Sequence, residues 1–284
     1  MREKLVLIDG HSILNRAFYG VPELTNSEGL HTNAVYGFLN ILFKILAEEQ
    51  PQYLAVAFDL KAPTFRHKMY DAYKGTRKPQ PPQLHEQVPV MKEVLTAMGV
   101  PLLMKEGYEA DDLLGTVAKR MEKKGLDVSV VSGDRDLLQL ATEHIMIRIP
   151  KTKRTGTEIE DYHTKEVLEK YQVTPPQIIE LKAMMGDASD NIPGLPGVGE
   201  KTATKLVVAY GSSRPMRKML FWSTMIWQSS AKNWRRLIPT ARLILCWRMR
   251  DLPICTRRKP LPCSKSWSLR ICWEDFSVMH RIRR

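Results

Sequence analysis

Two short apolar runs each close on an acid: KLVLID on Asp9 and YLAVAFD on Asp59. Runs this short, rich in branched residues and lacking polar alternation, suit strands buried on both faces. Further branched runs follow at 127–132 (DVSVVS) and 145–149 (IMIRI). Helical periodicity fills the intervals at 33–48, at 109–124 and at 86–98, the last carrying Pro89. Strands alternating with helices predict an α/β fold, a mainly parallel central sheet with helices on both sides. A helical pair around Pro175 and Pro176 is expected over 164–184. The Pro/Gly-rich stretch 186–199 (GDASDNIPGLPGVG) and a helix over 200–209 come next, and no solenoid repeat is present.

The chain's 284 residues allow one large domain or two small ones, and 43% hydrophobic content supports a sizeable core. No apolar run reaches the roughly 18 residues of a membrane span, and the short N-terminal run reads as a strand, so the expected address is the cytoplasm. The net charge of +12 is unevenly placed. Residues 213–284 hold 13 Arg and 4 Lys against 3 acids, leaving the preceding body close to neutral. All six Trp and all four Cys lie in that tail, and all 16 Gly and nine Tyr lie before it. A 72-residue stretch without Gly lacks the residue that best closes turns and helix ends. The tail therefore reads as aberrant or unstructured sequence, with a basic phosphate-binding arm as the competing account. Cys246, Cys255, Cys263 and Cys272 form no C-x-x-C pair, which argues against zinc.

The placement of the acids carries the chemistry. Asp9 and Asp59 end strands; Glu109, Asp111 and Asp112 open a helix; Asp134 and Asp136 follow a strand in SGDRD; Asp187 and Asp190 lie in GDASDN. In open α/β sheets, ligands bind beyond the carboxyl ends of the strands, so several of these acids should converge on one edge. Clustered carboxylates repel and need a cation, and an all-oxygen donor set suits Mg²⁺, with Mn²⁺ as a substitute. Two such ions can serve phosphodiester hydrolysis without a Ser, His or Cys nucleophile. Any one acid alone is as well explained by a helix start or a turn. The whole set favours metal.

Six segments in order carry a likeness: LIDGHSILNRAFY, AVAFD, FRHKMYDAYKGTRKP, EADDLLGT, SGDRDLLQL and MGDASDNIPGLPGVGEKTA. Together they resemble the 5′–3′ exonuclease domain of bacterial DNA polymerase I, a relative of the flap endonucleases, over about residues 1–211. The resemblance implies a PIN-like catalytic domain over 1–165 and a small helical DNA-binding subdomain over 166–212. It implies cleavage of 5′ flaps and nicked duplexes during primer and flap removal in replication and repair. It implies metal ligands at Asp9, Asp59, Glu109 and Asp111, and a second group at Asp134, Asp136 and Asp187, with Asp112 and Asp190 as further contributors.

Segment 64–82 fits the family's helical arch over the site. There Arg66, Lys68, Lys74, Arg77 and Lys78 are expected to touch phosphates and Tyr73 to stack on a base. A solvated basic loop is the plainer account of such a charge run. Arg16, one helical turn past the first strand, is a weaker phosphate candidate. GLPGVGEKTATKL resembles a helix-hairpin-helix element, with Gly197 and Gly199 allowing a tight turn towards a phosphate and Lys201 and Lys205 assisting. The same loop nearly matches a nucleotide-binding pattern, but Glu200 stands where its Lys belongs and no strand precedes it, so no nucleotide cofactor is expected.

After Ala209-Tyr210-Gly211 the likeness stops, and no polymerase activity is expected. Two other functions compete: a module that holds branched DNA without cutting it, and a PIN-type ribonuclease. A monomer acting on DNA, away from membranes, is the expectation.

Overall fold

The structure, a computed structural model, describes residues 2–153 and 156–211. The expectations for 213–284, including its four cysteines, lie outside the described residues.

The elements run in the order β1 (Lys4–Asp9), α1 (Gly10–Gly20), α2 (Asn33–Glu49), β2 (Tyr53–Ala57), α3 (Phe65–Met69), α4 (Pro82–His85), α5 (Gln87–Ala97) and β3 (Leu102–Leu103). They continue with α6 (Ala110–Lys123), β4 (Asp127–Val131), β5 (Ile145–Lys153), β6 (Gly156–Tyr162), α7 (Thr164–Tyr171), α8 (Ile178–Met185), β7 (Gly186–Asp187), β8 (Ile192–Pro193) and α9 (Glu200–Tyr210). Pro89 is tolerated because it falls in the first turn of α5, where a backbone N–H has no partner within the helix.

The main sheet has the order β3-β2-β1-β4-β5-β6, parallel except for the β5–β6 hairpin. The period of two along β1 divides the core. Leu5 and Leu7 join α6 and the β4–β5 residues on one face, and Val6 and Ile8 join α1, α2 and α5 on the other. Both faces are covered, which explains the unbroken apolar runs. Val167 of α7, Leu181 and Met184 of α8, and Ala203 and Val207 of α9 belong to the first of these clusters.

This strand order sets the position of the site. The chain moves outwards from β1 through β2 to β3, then returns to the other side of β1 at β4. The reversal opens a crevice at the carboxyl ends of β1 and β4, the place where α/β sheets bind ligands. Among the described residues no helix is long and apolar enough to cross a membrane.

Candidate active site

A cleft of about 970 Å³ opens at this edge, lined by Asp9, Asp59, Glu109, Asp111, Asp134 and Asp136 among others. Each reaches it through local structure. Asp9 ends β1 and caps α1, accepting the Ser12 N–H on Oδ1 (3.1 Å) and the Ser132 hydroxyl on Oδ2 (2.8 Å). Gly10 is required next, because a Cβ there would lie 2.4 Å from the Phe58 ring. Asp59, two residues past β2, accepts the Ala110 N–H at 2.7 Å and so ties that strand end to the start of α6. Asp134 accepts the Asp136 N–H at 2.8 Å, capping a short 3-10 turn after β4.

Repulsion and burial show in the ionisation of these groups. Asp9 is pushed up to about 7, first by burial and then by Asp59 and Asp134, against its two hydrogen bonds. Asp136 also rises to about 7, through burial and Asp134, although Lys182 opposes the shift. Asp134 is raised by burial above all. Asp111 is raised well above the ordinary carboxylate range by burial and then by Asp9, Asp134, Asp59 and Glu109. Its Oδ1 is buried without a hydrogen-bond partner. A carboxylate oxygen with no donor, ringed by four other acids, fits a hard cation.

The expected second group lies around Lys182, which the sequence reading missed. Its Nζ stands 2.8 Å from Asp136 Oδ1 and 3.0 Å from Asp187 Oδ2. Asp187 also accepts the N–H and hydroxyl of Ser189. Burial works against its ionisation, but Ser189 and Lys182 outweigh burial and hold its carboxyl below the ordinary value. Lys182 is raised because these two acids outweigh its own burial. The available signal was a single lysine, with one glutamate, in the otherwise apolar helix IIELKAMM. His11 and Ser132 were also missed. The His11 Nδ1 accepts the Asp59 N–H at 3.2 Å, and the Ser132 Oγ accepts the Asp134 N–H at 3.0 Å.

Three expectations are corrected. Asp112 is 0% exposed, and both its oxygens are committed: Arg66 binds them at 2.7 and 2.8 Å, and the Glu109 N–H donates to Oδ2 at 3.0 Å. Arg66 and the Glu109 N–H thus take three of the roughly four lone-pair sites of its carboxylate, which makes it a partner of Arg66 before it can serve an ion. Arg66, paired with it and 7% exposed, is an internal strut rather than a phosphate contact. Tyr73 is 3% exposed and cannot stack on a base; its hydroxyl donates to Glu109 Oε2 (3.1 Å) and Asp190 Oδ2 (3.0 Å).

The rest of segment 64–82 is mixed. Lys74 pairs with Glu109 Oε1 at 2.8 Å, and Arg77 pairs with Asp190. Lys68 and Lys78 are exposed. Between α3 and α4 the segment runs through turns, so only its ends are helical. Arg16 lines the cleft near Arg135, and burial followed by that neighbour lowers its pKa. Gly197 adopts φ +76°, the left-handed turn expected of it, and Gly199 caps α9. Lys201 and Lys205 are exposed on α9, and none of these four residues lines the cleft. As the side chains stand, no three His, Cys, Asp or Glu among the described residues are drawn together around one point, Glu109 being turned to Lys74 and Asp136 and Asp187 to Lys182.

A family model described as the 5′-3′ exonuclease, N-terminal resolvase-like domain, matches residues 4–172. The chain belongs to the 5′–3′ exonuclease family. A second model, the 5′-3′ exonuclease C-terminal SAM fold, matches residues 173–232 of this exonuclease-family chain. DNA polymerase I of Bacillus caldotenax is 54% identical over 212 residues, covering 75% of this chain and 24% of the relative. The enzyme of Bacillus subtilis (strain 168) is 52% identical over 211 residues, covering 74% and 24%. The chain thus spans about a quarter of the length of these curated relatives. The exonuclease fold is also that of the bacteriophage T5 flap endonuclease, solved as a pseudo-enzyme-product complex with DNA and metal ions: TM-score 0.68, 20% identity, covering 86% of this chain and 96% of that one. T5 5′-exonuclease with bound zinc ions gives a TM-score of 0.61 at 23% identity, covering 83% and 88%.

Proposed function

We propose that this chain is a structure-specific 5′–3′ exonuclease and 5′-flap endonuclease that hydrolyses DNA phosphodiesters in primer and flap removal. The observation that carries this reading is the buried, unpartnered Oδ1 of Asp111, surrounded by Asp9, Asp59, Asp134 and Glu109 at the carboxyl ends of β1 and β4. The donor set is all carboxylate, which suits Mg²⁺, with Mn²⁺ as a substitute. Such ions, when bound as a pair, supply charge neutralisation and Lewis-acid activation of water and phosphate.

Asp9, Asp59, Glu109 and Asp111 would hold one ion, and Asp134, Asp136 and Asp187 a second. Asp190 would support both groups: the Tyr73 hydroxyl ties it to Glu109, and its own N–H reaches Asp187 Oδ1 at 3.3 Å. Because Lys74 and Lys182 now neutralise Glu109 and two of the aspartates, loading would require these ion pairs to open. The released Lys74 ammonium, with Arg16 and the exposed Lys68 and Lys78, would then meet the DNA backbone. Phosphate contacts of this kind fix position without reading sequence. Gly197, Gly199, Lys201 and Lys205 would grip the duplex further along, on a helical subdomain over 166–212 beside a catalytic domain over 1–165. The proposed enzyme is a cytoplasmic monomer.

The test is a 5′-labelled flap duplex incubated with the chain and Mg²⁺, with EDTA, and with Asp111→Asn. Cleavage near the junction that EDTA and the substitution both abolish supports the reading. Binding without cleavage would replace it with a DNA-holding module, and preference for an RNA flap would replace it with a ribonuclease.

A further inference from the structure

A second cavity, of about 420 Å³, lies behind the ion pair of Lys74 and Glu109. Asp59, Lys74 and Glu109 line both it and the acidic cleft, so the two spaces adjoin. Its volume falls within the range of about 300–1,000 Å³ typical of small-molecule sites. Apart from those three residues, its lining takes no part in the chemistry proposed above.

Its lining combines apolar walls and hydrogen-bond donors with the carboxylates of Asp59 and Glu109 on the side shared with the cleft. Pro63 and Tyr108 form apolar surface, and Lys61, Lys74 and His67 supply the donors. Lys61 donates to Nε2 of His85. An ammonium has only donors, so that nitrogen must be an unprotonated acceptor, and the contact leaves the charge of Lys61 uncancelled. The tautomer of His67 is fixed in a similar way. Its Nδ1 accepts the Thr64 N–H at 3.2 Å, which places the ring proton on Nε2 and makes that atom a donor. Beside the cleft, the cavity thus offers a cation and a neutral donor next to an aromatic wall.

We propose that, on a strand that ends at a nick, this cavity receives the 5′-terminal nucleotide, with its terminal phosphate held by Lys61 and His67. The inference rests on the nuclease reading of the adjoining cleft. It makes the chain sensitive to the chemistry of the 5′ end: a terminal phosphate gains charge-assisted hydrogen bonds that a hydroxyl cannot make. Base identity would not matter, because a Tyr108 wall meets any base.

The experiment compares steady-state cleavage, with Mg²⁺, of a nicked duplex bearing either a 5′-phosphate or a 5′-hydroxyl at the nick. The expected preference for phosphate is about tenfold in kcat/KM, carried by KM, as one hydrogen bond to a charged group supplies. Lys61→Ala should bring the ratio towards one, and Lys61→Arg should keep it. His67→Ala should do as Lys61→Ala does, but it also removes the Thr64 contact, so the exposed Lys61 is the cleaner probe. Equal rates on both ends in the unaltered chain, or a ratio unmoved by Lys61→Ala, would overturn the assignment while leaving the nuclease reading intact. Failure to cut either duplex would remove the nuclease reading and this inference together.

Discussion

Arg66 grips Asp112 through both terminal guanidinium nitrogens, at 2.7 and 2.8 Å, across 46 residues of sequence. The adjacent Asp111 instead has an oxygen with no donor and is surrounded by other acids. Two neighbouring aspartates therefore have opposite duties, and substitution should separate them. Asp112→Asn removes the bidentate partner of a buried guanidinium, leaving the longer contact to Glu109 Oε2 at 3.6 Å, and should cost about 3 kcal/mol. Asp111→Asn removes repulsion and should leave metal-free stability equal or higher, while abolishing divalent-ion binding. Urea unfolding in EDTA, followed by calorimetric titration with Mg²⁺, reads both effects. A tolerant Asp112 beside a destabilising Asp111 would reverse the two roles.

Lys182 acts as an internal counter-ion for Asp136 and Asp187. Lys182→Met should therefore depend on metal. In EDTA the two acids lose their cation, and the loss should approach about 3 kcal/mol, the low end for breaking a buried pair. With saturating Ca²⁺ the ion should take over and most of the loss should disappear. Thermal unfolding of both proteins, with and without the ion, gives the comparison. An equal loss in both conditions would make Lys182 a packing residue only.

The sheet was legible because β1 and β2 are buried on both faces, and burial writes itself as an uninterrupted apolar run. The helix over 109–124 matches α6 within a residue at each end, since its acids and its periodicity agree. β3, only two residues long, left no such signature. β6 was missed too, because its sequence, GTEIEDY, carries too few apolar residues to read as a strand. Residue types at the site were legible, but pairing was not. EADD shows three acids without saying which one faces an arginine from another helix. Tyr73 in a basic segment looks like a surface aromatic until the fold places two carboxylates at its hydroxyl. Long-range partners of this kind arise from topology.

Proton linkage follows from the raised carboxylates. In the unfolded chain Asp9 and Asp136 ionise near the ordinary 3.8, whereas in the folded protein both stay protonated up to about 7. Between those values the folded state binds more protons. Their contribution to stability is complete below the unfolded value and is lost as pH rises through about 7. The metal-free chain should thus become less stable from mildly acidic to mildly alkaline pH. Divalent ions should bind more tightly over the same interval and should release protons as they bind. Calorimetry in buffers of different ionisation enthalpy measures that release directly. An ion affinity that does not change across neutral pH would refute the linkage.

Tyr73 allows a stacking role to be separated from a positioning role. Its ring packs edge-on against His67, with centroids 5.2 Å apart, and its hydroxyl joins Glu109 to Asp190. Tyr73→Phe keeps the aromatic face and removes only the two hydrogen bonds. If the ring stacked on DNA, the substitution would leave substrate binding and cleavage nearly unchanged. The buried geometry predicts otherwise. Two carboxylates lose a donor, each such bond being worth about 1.5–3 kcal/mol, and the 64–82 segment loosens from the loop that carries Asp190. Thermal stability should fall and Mg²⁺ affinity should weaken about tenfold, the equivalent of one lost bond. Tyr73→Leu should do no worse than Phe on metal affinity, since neither supplies the hydroxyl. A Phe variant with unaltered metal affinity would show that the hydroxyl bridge does not hold the site together.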